Sequence, residues 1–436
     1  MSRPDSEQPR AARRQAQLVI AAVVLPVLAA VPAFRLYAAH RFSTAKSRFE
    51  REVGSLELAS CDRPDVPDQE NAATHIRAGI DALVLAKDDS IVVDIVNERP
   101  ASEWTPADRA KLESIVERNA TAIGLFDRAR SMTRSNWHIE YRHGGIANFS
   151  KFKAGIYAAR MLRARARLAL ASNDLPTAIG VAEDLGAMAR SYESEPSAPI
   201  LMIGSTIERL QQSVLQDLTA RNDLTAEEIA RLEASVSGVD LSKAHSEAVR
   251  VFAVRWLQEL RNDPHVENYS VPGMRLFRRG VEDLIAAAVI ERQIGIPGTL
   301  GKAIAGPRSA ETDATRGGIL EAVLDMHESE MISISARMVA TESSRDLARL
   351  ALALRSAELA TGAYPAALPS VQGVATSDPL TGTDRVYTTH DDGTAEIAAK
   401  TTQAILGTYF REALGVNREL YRWTLPAPSA PRPRPS

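Results

Sequence analysis

Residues 18–34 hold nothing but apolar side chains and prolines, with Arg10, Arg13 and Arg14 before them and Arg35 and Arg41 after. A helix needs roughly 17 to 25 such residues to cross the hydrocarbon core of a bilayer. The expectation is therefore one membrane-spanning helix over residues 16–34, in contact with membrane lipid. Pro26 and Pro32 kink such a span, and neighbouring groups or water satisfy the carbonyls they free. A cleaved signal peptide is the alternative, because Val31 and Ala33 have cleavage-site spacing. Basic residues on the two sides of the run balance, so charge does not fix orientation. With so little chain ahead of the span, residues 1–15 are expected in the cytoplasm and the body outside it, in a bacterial inner membrane.

The remaining chain is long enough for two structural units, the whole being 436 residues. Only 5% of residues are aromatic. A core of Ala, Leu, Val and Ile lets helix axes approach closely and suits packed helices better than a sandwich of sheets. A net charge of −3 supplies no field that would draw the protein to nucleic acid, and none is expected as a partner. One cysteine, Cys61, excludes an intrachain disulfide and a cysteine-based zinc site.

Helical signals then follow one another. Residues 71–85 read as the first helix after a juxtamembrane segment over 35–67. Thr105-Pro106-Ala107-Asp108 is a helix start, predicting a helix to about Arg130 with Leu112, Ile115, Val116 and Ile123 inward. Residues 149–170 and the segment opened by Asn173-Asp174-Leu175-Pro176 predict two antiparallel helices, a hairpin of the kind that builds solenoids. No fixed repeat period accompanies it. Thr225-Ala226-Glu227-Glu228 is a capping box, with Leu224 and Ile229 placed to close a hydrophobic staple. Further helices are expected at 199–220, 241–260, 274–294 and 318–360, the last stopped by Gly362 and Pro365. Two extended pieces, 385–389 and 394–398, flank Asp391-Asp392-Gly393 as in a small hairpin. An amphipathic helix at 401–414 and a disordered Pro-rich tail over 424–436 complete the reading.

Leu350-Ala351-Leu352-Ala353-Leu354, Gly362-Ala363-Tyr364-Pro365, Asp378-Pro379-Leu380-Thr381-Gly382 and Tyr387 together resemble a group of uncharacterised bacterial single-pass membrane proteins. Their C-terminal end is similar to that of type II secretion pseudopilins: a helix, a Gly-x-Tyr-Pro turn, an Asp-Pro-x-x-Gly loop and a strand carrying Tyr. The resemblance implies that topology and a helix-plus-hairpin end, without an activity to carry over. No Gly-Phe-Thr-like processing junction precedes Leu18, which departs from the pseudopilin pattern.

The densest polar cluster is Trp137 to Gly145. His138, Glu140 and His143 are residue types that ligate metals or exchange protons, yet the histidines lie five apart, not at the four-residue spacing of a helical zinc motif. A packing role is the expectation there. Asp378, Asp384, Asp391 and Asp392 gather oxygens without a recognised calcium loop and read as a solvated turn. Arg160, Arg163 and Arg167 share a helix face, with solvation preferred over an acidic partner. Met326, His327 and Met331 read as helix filler. Neither a phosphate-cradling Gly loop nor a Gly-x-Ser-x-Gly elbow is present. No catalytic, cofactor-binding or metal residue is therefore assigned, and no cofactor.

The predicted fold is mainly α: a transmembrane helix, a solenoid-like body of helical hairpins over 68–308, then a long helix and a small β-hairpin over 309–423. The expected role is a membrane-anchored scaffold or assembly factor for envelope proteins. The alternatives are an envelope hydrolase or metal-dependent enzyme using residues 137–145, and a pseudopilin-like secretion component.

Overall fold

The structure is a computed structural model describing residues 8–86, 88–139, 141, 149–236, 238–262, 282–288, 290–291, 319–375, 377–379, 382–399 and 421–428. It is mainly helical, with a small antiparallel sheet at the C-terminal end.

Helix α1 runs unbroken from Gln8–Glu52. The side chains of residues 8–28 lie outside the described residues, so most of the expected span is not characterised. Among the described residues no helix is long and apolar enough to cross a membrane. The end of α1 belongs to the body: Ala45 and Phe49 are buried in one cluster with Ala253, Leu257, Ala286 and Ile290.

Helix α2 (Ala72–Asp81) begins at Asn71, whose side chain accepts from the Ala73 N–H. Helix α3 (Asp89–Glu98) has no counterpart in the sequence reading. The single helix expected from Thr105 to Arg130 is two, α4 (Pro106–Arg118) and α5 (Ala120–Ala129). The break falls at Asn119, because this buried side chain accepts from Val84 N–H at 2.8 Å and donates to Ile115 O at 2.9 Å. That competes with the continuing helix ladder. Leu112, Ile115 and Ile123 do face inward.

Helices α6 (Phe149–Ala171) and α7 (Leu175–Glu193) form the expected hairpin. Asn173 takes the left-handed conformation at φ +57°, and Asp174 caps α7 by accepting from Thr177 N–H at 3.2 Å. Helices α8 (Ala198–Thr219), α9 (Ala226–Ser235) and α10 (Leu241–Asn262) follow. The capping box at Thr225 and Glu228 is formed, with Leu224 and Ile229 both buried. The solenoid expectation is corrected: α7 packs against α2, α5, α6, α8 and α9, whereas a solenoid unit touches only its neighbours. Small residues let α7 be enclosed. A Cβ on Gly186 would stand 2.2 Å from Ser235 O, so α9 approaches the backbone itself.

Helix α11 (Ile319–Thr361) packs against α8, α9 and α10 and also against the sheet, whose last strand meets α8 as well. Strands β1 (Val386–Thr389), β2 (Ala395–Ala398) and β3 (Arg422–Leu425) pair antiparallel in that order. The hairpin is as expected; the third strand is not. The tail reading from residue 424 is corrected to that extent, since Thr424 and Leu425 pair with Glu396 and Ala395. The register buries Ile397, Trp423 and Leu425 together in the main core. Expectations for 274–281, 292–294 and 401–414 lie outside the described residues.

Candidate functional site: the polar seam of the long helix

Thr341, Ser343, Ser344, Arg345 and Asp346 are all buried, although they are consecutive or nearly so on α11. Such a run sits inside a protein only if its polar atoms are paired, and the pairs radiate in two directions.

Towards the helical body, Arg345 Nε donates to Glu208 Oε1 at 2.6 Å and its Nη2 to Glu208 Oε2 at 2.7 Å and Glu193 Oε2 at 2.8 Å. One guanidinium thus clamps α7 and α8. Burial alone would lift the Glu208 carboxyl, but Arg345 outweighs it and holds the group below its usual range. Burial likewise opposes the Arg345 charge, and the two glutamates reverse that, raising its pKa. Gly204 makes room for the cluster: a Cβ there would lie 2.8 Å from Glu193 Cγ.

Towards the sheet, Asp346 accepts from Arg385 Nη2 at 2.8 Å, and the Ser343 hydroxyl donates to Asp378. Asp378 also closes its own turn, donating through its N–H to Thr383 O at 2.8 Å and accepting at its carbonyl from Gly382 N–H at 2.7 Å. The Tyr421 hydroxyl donates to Ala340 O at 3.2 Å. Immediately after the end of α11, Gly362 has φ +79°. Tyr364 then donates to Pro426 O at 2.8 Å while accepting from Arg355 at 3.1 Å, and Tyr387 donates to Pro365 O at 2.7 Å. The Gly-x-Tyr-Pro turn and the strand tyrosine are therefore joined by a hydrogen bond near the end of α11, while the Asp-Pro-x-x-Gly loop is held farther back along the helix, at Ser343.

The described members of the other candidate clusters are engaged in packing and hydrogen bonds or exposed. Trp137 is buried against Tyr192 and Phe152, its ring N–H donating to Ser191 O at 3.1 Å. His138 has φ +51°, fixed by its N–H donating to Asn136 Oδ1 at 2.7 Å, and its Nε2 lies 3.2 Å from Asn71 Nδ2. Nearby Tyr141 donates to the buried Glu195 at 2.7 Å. Glu140 and His143 lie outside the described residues, as do the side chains of Met326, His327 and Met331. Of the aspartates, Asp378 is buried while Asp384, Asp391 and Asp392 are exposed. Among the described residues no group of three or more His, Cys, Asp or Glu is placed to hold a metal ion.

The arginine face of α6 serves the fold. Arg160 pairs with Asp94 at 3.4 Å, Arg163 donates to Ser213 at 2.8 Å, and Arg167 donates to Arg99 O at 2.8 Å beneath the Trp104 ring. Sequence reading missed Glu193, Glu208 and Arg345. A usable signal existed: Glu193 follows the buried Leu185 and Ala189 at four-residue intervals, placing a charge on an inward face.

No protein-family model, curated protein or solved structure matches this chain.

Proposed function

We propose that this chain is a single-pass, membrane-anchored envelope protein whose helical body acts as a protein-binding scaffold or assembly factor. The carrying observation is the junction between α1 and the body. Leu36 and Tyr37 stand 72% and 55% exposed, whereas Ala38, Ala45 and Phe49 are buried. Packing thus begins about one helical turn after the apolar run ends at Phe34. A 45-residue helix is about 68 Å long, so one continuous rod is long enough to hold the apolar run 18–34 in lipid while its C-terminal turns are fixed in the body. Tyr37 falls where an interfacial aromatic belongs.

A scaffold is favoured because the buried charges Arg345, Glu193 and Glu208 are committed to one another, which stiffens the body for presentation of its surface. Crosslinking in intact cells followed by mass spectrometry tests this. Reproducible protein neighbours are expected, and recovery of bulk lipid alone would overturn it.

A further inference from the structure

We propose that the outer edge of β1 is a docking strand for an extended peptide segment with a basic residue at each end and small apolar or β-branched residues between. The inference rests on the scaffold reading and names the surface and partner chemistry.

The hairpin geometry fixes which backbone groups are on offer. His390 donates its N–H to Thr394 O at 2.9 Å and accepts at its carbonyl from Gly393 N–H at 2.9 Å, so His390 points its backbone at β2. Backbone direction alternates along a strand, and the register pairs Thr388 with Glu396 and Val386 with Ala398. Those two residues also face β2. Tyr387 and Thr389 therefore direct their N–H and C=O groups away from the sheet; among the described residues no strand pairs with them there, the Ser377–Asp384 bridge occupying that side only ahead of Val386.

Exposed edges usually carry Lys, Pro or a bulge that discourages pairing. Val386-Tyr387-Thr388-Thr389 has none of these within the strand, and Val386 is 41% exposed. Its flanks select the partner. Asp384 and Asp391 are both exposed, one at each end. A second copy of this strand fits poorly: antiparallel pairing of the outward-facing Tyr387 with Thr389 of the copy sets Asp384 against the exposed Asp392, acid against acid. A peptide with basic ends meets both carboxylates, and its backbone takes the ladder bonds of strand addition.

The test is amide hydrogen exchange on the full-length protein in detergent, with the peptide Lys-Val-Thr-Val-Thr-Lys as probe and the same peptide with Glu ends as control. Exchange at Tyr387 and Thr389 is expected to slow about tenfold when the Lys-ended probe is at roughly ten times its Kd, and to stay unchanged with the Glu-ended one. Thr389→Pro removes one outward N–H without touching the β1–β2 ladder and is expected to abolish the response. Should that variant not fold, the Asp384→Lys, Asp391→Lys double variant carries the test by reversing the preference between probes. Unchanged exchange with the Lys-ended probe, or equal slowing by both probes, overturns the inference. Protection that grows with protein concentration in the absence of probe also overturns it, in favour of a second copy. Protein neighbours recovered from other faces of the body, with Tyr387 and Thr389 unresponsive, remove this inference while leaving the scaffold reading intact.

Discussion

The Tyr364 hydroxyl donates to the carbonyl oxygen of Pro426 at 2.8 Å, joining the turn after the long helix to the residue that follows β3. The Tyr364 hydroxyl oxygen itself accepts from the buried Arg355, so one phenol links helix, turn and last strand.

Tyr364→Phe is accordingly expected to lower stability by about 1–2 kcal/mol, the cost of losing a hydrogen bond and leaving part of a buried partner unmet. Exchange at the amides of β3 should accelerate more than exchange in α7. Denaturant midpoints and amide exchange check this, and uniform acceleration across the chain would contradict it.

Removing Arg345 strands two buried carboxylates. Arg345→Met should cost about 3–5 kcal/mol, as expected when one partner of a buried ion pair is lost. Converting Glu193 and Glu208 to Gln in the same background should recover a large part of that loss. Urea unfolding of the single and combined variants measures both, and a loss below about 1 kcal/mol for Arg345→Met would show that the clamp contributes little.

Two buried groups give stability opposite pH slopes. Burial pushes the Asp184 carboxyl up to about 8 from 3.8, against the pull of Arg130. Between those values the folded state keeps a proton that the unfolded chain releases, so stability falls as pH rises through that window. His245, buried beside Ser335 at 2.9 Å, is held down at about 4 from 6.5 by desolvation. There the unfolded chain binds the proton first, so stability falls as pH drops from about 6.5 to about 4. Each slope is at most about 1.4 kcal/mol per pH unit. Asp184→Asn should flatten the decline between pH 6.5 and 8, and His245→Gln the acid loss below 6.5. Midpoints across pH 5–8 decide it, and variants that follow the parent profile would contradict the assignment.

Local chemistry explains what was legible. Thr105 and Thr225 announce their helices because a capping box is written within four residues, and both boxes form. The His390 turn is equally local. Helix α3 was not legible, since Ile91, Val92, Val93, Ile95 and Val96 are β-branched and its helicity comes from packing on α6. Asn119 breaks a helix through a partner 35 residues away, Val84. Strand β3 is four residues beside a proline run, and only pairing with β2 gives it form. The polar seam needs α7, α8, α11 and the sheet in place at once, so a single segment shows it only as charge on an inward face.

The central claim, that residues 16–34 are held in lipid while the body packs from Ala38 onward, is tested most directly by alkaline carbonate extraction of membranes combined with protease digestion from outside the cell. The account predicts that full-length protein stays in the membrane pellet and that added protease cuts the body while sparing the N-terminal segment. Release of full-length protein into the carbonate supernatant would contradict it.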